Sequence, residues 1–138
     1  MSVAILDTSA YMDHGERGLY QDTLANLRRA YVIRHSAVVL SELRRSTRGR
    51  EAERLVTALY ELATVRWEPS VADWWEAGRL VRTIGDKPNW DIHKRRDFQN
   101  DALIVLTARR HGATVVTSNS SDFELPQSEL RISILSTV

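Results

Sequence analysis

The sequence contains no cysteine and only three prolines. Without cysteine the chain can form neither disulfides nor thiolate metal sites. Its 138 residues suit one domain, and a domain of this size can bury an adequate apolar core without covalent cross-links. No secretory leader is recognisable, and no apolar run approaches the ~20 residues needed to cross a bilayer. We therefore expect one soluble, cytoplasmic domain over residues 1–138.

The chain also lacks a charge excess, because its formal net charge is +1. This balance does not indicate a strongly basic nucleic-acid-binding domain. The cations are nearly all arginine, however, since Lys87 and Lys94 are the two lysines. Guanidinium groups bind phosphate in a bidentate manner. The candidate phosphate ligands are Arg44, Arg45, Arg48, Arg50, Arg95 and Arg96, although solvated, salt-bridged helix faces would show the same pattern.

Short apolar runs alternate with amphipathic segments along the chain. Strands are predicted at residues 2–6, 31–33, 65–67, 113–117 and 130–135. Helices are predicted from Thr8 or Ser9 to a break at Gly15 and Gly18, then at 19–30, after Ser36, and at 51–63, 71–84 and 97–111. Residues 85–93 and 118–122 are predicted loops. This alternation indicates an α/β fold with a parallel sheet.

Four acidic residues occupy unusual places in this pattern. Asp7 directly follows the first strand, and Asp122 follows the strand at 113–117. Glu42 and Asp101 adjoin apolar helical stretches, where an unpaired carboxylate is costly. If the four carboxylates converge, their mutual repulsion requires a cation. Hard oxygen ligands without cysteine favour Mg²⁺, or Mn²⁺, over zinc.

Each acid taken alone also has a structural explanation. Asp7 could cap a helix, Asp101 could cap or salt-bridge within its own helix, and Asp122 could stabilise a turn. Glu42 could form an ion pair with Arg45 or Arg48. Only the joint pattern favours a shared site.

Three segments carry a family resemblance: ILDTSAY at 5–11, SAVVLSELRR at 36–45 and NDALIVLTARRHGATVVTSNSSDF at 100–123. In this order they resemble the PIN domain, and within it the VapC-type toxins of bacterial toxin–antitoxin pairs. The resemblance implies a three-layer α/β/α fold with a parallel sheet of about five strands. It implies metal-binding and catalytic acids at Asp7, Glu42 and Asp101. The fourth acid is placed at Asp122, or alternatively at Asn119, and the polar residue beside the metal at Ser9, or alternatively at Thr8.

The same resemblance implies a Mg²⁺-dependent endoribonuclease that hydrolyses phosphodiester bonds of tRNA or rRNA, binds a cognate antitoxin and forms a homodimer. Two alternatives stay open: an RNA-processing PIN nuclease without an antitoxin, and a non-catalytic RNA-binding PIN domain. Asp97 shares a helix face with Asp101 and could orient a metal-bound water, although a helix cap or a pair with Arg95 or Arg96 is favoured. Trp90 and His93 could stack on a base.

Overall fold

The computed structural model describes the backbone of residues 2–17 and 20–136, and the side chains of these residues except 13–24, 125, 128 and 129. Five strands and seven helices follow one another in these ranges: β1 Ser2–Leu6, α1 Thr8–Arg17, α2 Tyr20–Ala30, β2 Tyr31–Ser36, α3 Ala37–Ser46, α4 Gly49–Leu62, β3 Arg66–Trp67, α5 Val71–Asp86, α6 Ile92–Arg110, β4 Thr114–Thr117, α7 Ser121–Glu129 and β5 Ser133–Ser136. The predicted break at Gly18 and the predicted start at Leu19 lie outside the described residues.

The sheet is parallel throughout, with strand order β3-β2-β1-β4-β5. This architecture confirms the predicted α/β fold with five parallel strands. β1 lies in the centre and pairs with β2 on one side and β4 on the other. Its pairing with β4 sets Leu6 opposite Val116, so the residues that follow the two strands emerge side by side. In open parallel sheets this edge, outside the carboxyl ends of the strands, is where ligands bind.

The core surrounds the central strands. Ile5 and Leu6 of β1 and Val115 and Val116 of β4 are buried, as continuous apolar runs in a doubly covered parallel sheet should be. The helix α6 packs against them with a buried stretch from Ala102 to Ala108. Asp101 precedes that stretch, so the packing of α6 fixes the position of its carboxylate.

Helix boundaries differ from the prediction in several places. The loop expected at 85–93 shortens to five residues, because α5 continues to Asp86 and α6 begins at Ile92. Asp91 caps α6 by accepting the amide of Lys94 at 2.8 Å. A helix-cap role for Asp97 is therefore wrong, since Asp97 lies inside α6 and is exposed. The helix α1 also continues through Gly15, where a break was predicted.

The helix α7 occupies a region that the sequence analysis assigned in part to a polar loop. Phe123 of α7 is buried, and its packing in the core holds the segment in place. The segment itself is weakly amphipathic and contains Pro126. The predicted ends of α3 and α6 agree better with the structure. Ser36 caps α3 by accepting the amide of Val39 at 3.4 Å, and Gly112 follows α6 with φ +64°.

Some apolar surface is left uncovered on α5. Trp74 and Trp75 are 50% and 85% exposed, so neither belongs to the core. Among residues 2–17 and 20–136, no helix has both the length and the apolar character required to cross a lipid bilayer.

Candidate active site

Asp7 lies between β1 and α1 and is 5% exposed. Its backbone amide donates to the carbonyl of Val116 at 2.9 Å, which extends the pairing of β1 with β4 by one residue. Its Oδ1 accepts the amide of Ala10 at 3.1 Å, so the same carboxylate caps α1. Because Asp7 occupies the capping position, Thr8 and Ser9 lie inside the helix instead of preceding it.

Two hydroxyl groups complete the surroundings of Asp7. Ser9 Oγ donates to Oδ1 and Oδ2 at 2.8 and 3.0 Å, and Thr117 Oγ1 donates to Oδ2 at 2.9 Å. Burial raises the pKa of Asp7 above its ordinary value, while these hydrogen bonds act against that rise. The hydrogen bonds fix the orientation of the carboxylate at the edge of the sheet.

Glu42 reaches the same edge from α3 and is partly buried. Its Oε1 accepts Thr8 Oγ1 at 2.7 Å, and its Oε2 lies 3.5 Å from Asn100 Nδ2. These partners replace the ion pairs with Arg45 or Arg48 that were considered from the sequence. Glu42 therefore points towards α1 and α6, beside the acids that those helices contribute.

Asp122 lies in the first turn of α7 and is hydrogen-bonded to Asn119. Asn119 Nδ2 donates to Asp122 Oδ2 at 2.9 Å, while its Oδ1 accepts Ser121 Oγ at 2.7 Å. The amide of Asn119 donates to Thr117 Oγ1 at 2.9 Å, and Thr117 in turn holds Asp7. Asn119 thus connects two acids: its side-chain amide donates to Asp122, and its backbone amide donates to Thr117, which donates to Asp7.

Asp101 is electrostatically coupled to all the others. Burial, followed by repulsion from Asp122, Glu42 and Asp7, raises the pKa of Asp101 from 3.8 to about 8. Repulsion of this kind requires carboxylates within a short distance of one another. Four acids from four separate segments of the chain thus form one acidic cluster, defined as Asp7, Glu42, Asp101 and Asp122, at the carboxyl edge of the sheet.

The donor set of the acidic cluster suits a hard divalent cation. It offers oxygen atoms only, and its internal repulsion is of the kind that a cation relieves. Among the residues that the structure describes, no three acidic or imidazole side chains are close enough to bind one ion together directly. Mg²⁺ keeps several waters and commonly binds to one or two carboxylates, so this spacing suits an ion held partly through water.

The predicted phosphate-binding arginines lie on exposed surface around α3, α4 and the start of α6. Arg44, Arg45, Arg48 and Arg50 are all exposed. Arg95 differs from these, because its guanidinium pairs with Asp86 at 2.9 Å and donates to the carbonyl of Trp90 at 2.8 Å. Through these contacts Arg95 connects the first turn of α6 to the end of α5. Arg96, by contrast, is exposed.

The aromatic residues considered for base stacking are also placed by the structure. Trp90 is partly buried and packs edge-on against Phe98, with ring centroids 5.2 Å apart. This contact anchors the loop between α5 and α6 to Phe98 of α6. His93 is exposed on the first turn of α6. Trp67 of the edge strand β3 stacks on His111 with centroids 3.8 Å apart.

Sequence reasoning missed two residues of this site. Thr117 ends β4 and contacts Asp7, and Asn100 precedes Asp101 and contacts Glu42. A signal for Thr117 was available, because a hydroxyl residue at the end of a buried strand is well placed to contact an acid at the end of the neighbouring strand. No comparable signal marks Asn100, whose contact depends on how α3 meets α6.

A comparison with protein-family models identifies the domain. The model of the PIN domain matches residues 4–125, which span nearly the whole chain and include all four acids of the cluster. The chain belongs to the PIN domain family. The resemblance on which the sequence analysis relied is thereby confirmed. A search of curated proteins found no significant match to this PIN domain.

Several solved structures share this fold, and one of them is described as a member of the VapBC family of toxin–antitoxin systems. VapBC2 from Rickettsia felis, bound to a DNA fragment from their promoter, aligns with TM-score 0.68 and 21% identity, covering 99% of each chain. DNA-bound VapBC from Salmonella typhimurium aligns with TM-score 0.68 and 20% identity over 99% of this chain and 98% of the other. VapBC-5 from Mycobacterium tuberculosis aligns with TM-score 0.63 and 18% identity over 99% and 100%. At these identities the likeness establishes a shared fold.

Proposed function

We propose that this PIN domain is a Mg²⁺-dependent endoribonuclease of the VapC type, with Mn²⁺ as an alternative ion, and that it acts as the toxin of a toxin–antitoxin pair. One observation carries the catalytic part of the proposal. Asp101 is repelled by Asp7, Glu42 and Asp122 together, so four acids distant in sequence share one site at the ligand-binding edge of a parallel sheet.

The four acids divide into two pairs in this proposal. Asp7 and Asp101 hold the cation, directly or through water, and Glu42 and Asp122 complete the acidic cluster and orient the attacking water or a second ion. When bound, a divalent cation supplies positive charge that stabilises the phosphate oxygens during an in-line displacement. Ser9 and Thr117 keep the Asp7 carboxylate in place by their hydrogen bonds. No side chain needs to act as a covalent nucleophile.

An acidic site repels a polyanionic substrate, so binding of RNA requires positive charge nearby. Arg44 and Arg45 follow Glu42 on α3 and are exposed, and we propose that they contact phosphates, with Arg48, Arg50 and Arg96 extending the same surface. The expected substrates are structured RNAs such as tRNA or rRNA. An Arg44→Ala/Arg45→Ala variant should bind such an RNA more weakly and with a shallower dependence on salt concentration.

Partners of the domain belong to the same proposal. Three solved structures with this fold are of VapBC, and one of them is described as a member of the VapBC family of toxin–antitoxin systems, which supports a cognate antitoxin as the partner. A homodimer, a cytoplasmic location and a single domain over residues 1–138 stay predictions from the sequence. A small neighbouring gene for a DNA-binding antitoxin would favour the toxin over a PIN nuclease of RNA processing.

Cleavage of RNA by purified protein tests the catalytic proposal. The wild type should cut a panel of tRNA and rRNA fragments in the presence of Mg²⁺ or Mn²⁺ and stop when EDTA is added. Changes to groups that hold metal ligands in place lower activity by about 10–100-fold. Asp7→Asn and Asp101→Asn change the proposed ligands themselves and should lower the cleavage rate by more than that. Sequencing of RNA ends after brief induction should show cuts with the wild type that are absent with Asp101→Asn.

Glu61→Gln provides the control, because it neutralises an exposed carboxylate near the end of α4, a helix that contributes no acid to the cluster. It should cleave at a rate close to that of the wild type. If wild type and Asp7→Asn are equally inert on the whole panel, the domain is a non-catalytic PIN domain and the proposal is wrong.

A further inference from the structure

We infer that Thr8 and Asn100 are positioning residues that hold the Glu42 carboxylate in the acidic cluster. The inference rests on the proposed nuclease function and assigns roles to two side chains that do not themselves need to contact substrate or cation. In this arrangement Thr8 acts on Glu42, whereas Ser9 acts on Asp7, so the two adjacent hydroxyls of α1 serve different acids.

The hydrogen bond from Thr8 carries most of the argument. Thr8 Oγ1 donates to Glu42 Oε1 at 2.7 Å and joins residues 34 positions apart in the sequence. Thr8 is the first residue of α1 and directly follows Asp7. The bond therefore attaches Glu42 to the chain immediately beside the most buried acid of the cluster.

Asn100 approaches the other oxygen of the same carboxylate. Its Nδ2 lies 3.5 Å from Glu42 Oε2, and Asn100 is the neighbour of Asp101 on α6. Each donor is thus adjacent in sequence to another acid of the cluster. The Glu42 carboxylate is bracketed between α1 and α6, with one neutral donor for each of its oxygens.

A glutamate in this position needs such donors. Glu42 and Asp101 repel each other, so a freely rotating Glu42 would turn away from the cluster. Exposed Arg45 on the same helix would attract it outwards. A neutral hydroxyl and a neutral amide hold the carboxylate inwards without removing the negative charge that attracts a cation. The geometry accounts for how Glu42 stays in the cluster despite repulsion.

Binding of Mn²⁺ alone, measured by the loss of its free-ion electron paramagnetic resonance signal, tests this role without relying on catalysis. Thr8→Val keeps the shape of the side chain and removes the donor, and it should weaken Mn²⁺ binding about tenfold. Thr8→Ser restores a hydroxyl and should bind within about twofold of the wild type. Asn100→Leu should weaken binding less than Thr8→Val, because its contact is longer.

Two comparisons distinguish positioning from a general structural effect. Thr114→Val makes the same substitution at the start of β4, where Thr114 donates to Ser133 at 3.1 Å, and it should leave Mn²⁺ affinity unchanged. In a Glu42→Ala background, adding Thr8→Val should weaken binding by less than about twofold, because the hydroxyl then has no side-chain acceptor at position 42. If Thr8→Val does not fold, Thr8→Ala compared with Thr8→Ser takes its place.

The outcomes separate this inference from the proposed function. If the wild type binds Mn²⁺ and cleaves RNA but Thr8→Val equals it in both, only the positioning role is overturned. Equal losses with Thr8→Ser and Thr8→Val, or full additivity of Thr8→Val with Glu42→Ala, overturn it as well. A wild type that neither binds Mn²⁺ nor cleaves RNA overturns the proposed function and this inference together.

Discussion

Replacing Asp101 by asparagine should stabilise the metal-free protein while removing its activity. Asp101 loses its proton near pH 4 in the unfolded chain and at about 8 in the folded chain. Between these values the folded state binds one proton more than the unfolded state, so the free energy of unfolding falls as the pH rises. The destabilisation due to Asp101 is complete above about pH 8.

The magnitude follows from the size of this shift. About four pKa units at about 1.4 kcal/mol each set a ceiling of about 6 kcal/mol. Relaxation of the side chains and entry of water lower this ceiling, and we expect about 2 kcal/mol from Asp101→Asn at pH 8. For a domain of this size that free energy corresponds to a rise in Tm of about 8 °C. At pH 4 the two proteins should melt at similar temperatures.

Thermal unfolding in EDTA between pH 4 and pH 8 measures the effect, with Asp97→Asn as the control on the same helix. Adding Mg²⁺ at pH 8 should raise the Tm of the wild type towards that of Asp101→Asn and should raise the Tm of Asp101→Asn much less. An Asp101→Asn protein that is no more stable than the wild type at pH 8 would refute the reasoning. An equal gain in Tm from Asp97→Asn would refute it as well.

Three further outcomes are expected. Thr117→Val removes a hydroxyl that donates to Asp7 and accepts the amide of Asn119, both at 2.9 Å, so cleavage should fall about 10–100-fold and Tm should fall by about 5 °C, as measured by single-turnover kinetics and thermal unfolding. Asp73→Ala removes the hydrogen bond that the Asp73 side chain accepts from the Ser70 amide in the capping box of α5, together with the 3.0 Å ion pair with Arg110, and urea unfolding should show a loss of about 2 kcal/mol without a change in Mn²⁺ binding. Trp75→Ala should change the free energy of unfolding by less than about 0.5 kcal/mol, because the side chain is 85% exposed.

The pattern of apolar runs was sufficient to predict the sheet. SVAIL and ATVVT are short, continuous and bounded by polar residues, and in the structure they form the central strand β1 and its neighbour β4. The helix α7 could not be predicted in the same way. Its segment is polar and contains Pro126, and it is helical where the burial of Phe123 holds it against the core. Local sequence does not report a contact of that kind.

The acids of the cluster were easier to predict than the groups that hold them. Asp7 and Asp122 follow strands, and parallel strands direct the residues after them to one edge. The partners of Glu42 were beyond sequence reasoning, because Thr8 and Asn100 lie 34 and 58 residues away from it. The order of the strands in the sheet could not be predicted from the sequence either. Only the pairing of β1 with β4 brings Thr117 to Asp7.

The central position of β1 has a consequence for the newly made protein. Asp7 leaves the ribosome before β4, the strand that it needs as a neighbour and that ends at Thr117, and Asp122 follows later still. A nascent chain that stops short of β4 lacks both Thr117, which donates to Asp7, and Asp122, the last acid of the cluster. The order of synthesis therefore delays assembly of the complete cluster until β4 and the start of α7 have emerged and these distant contacts can form.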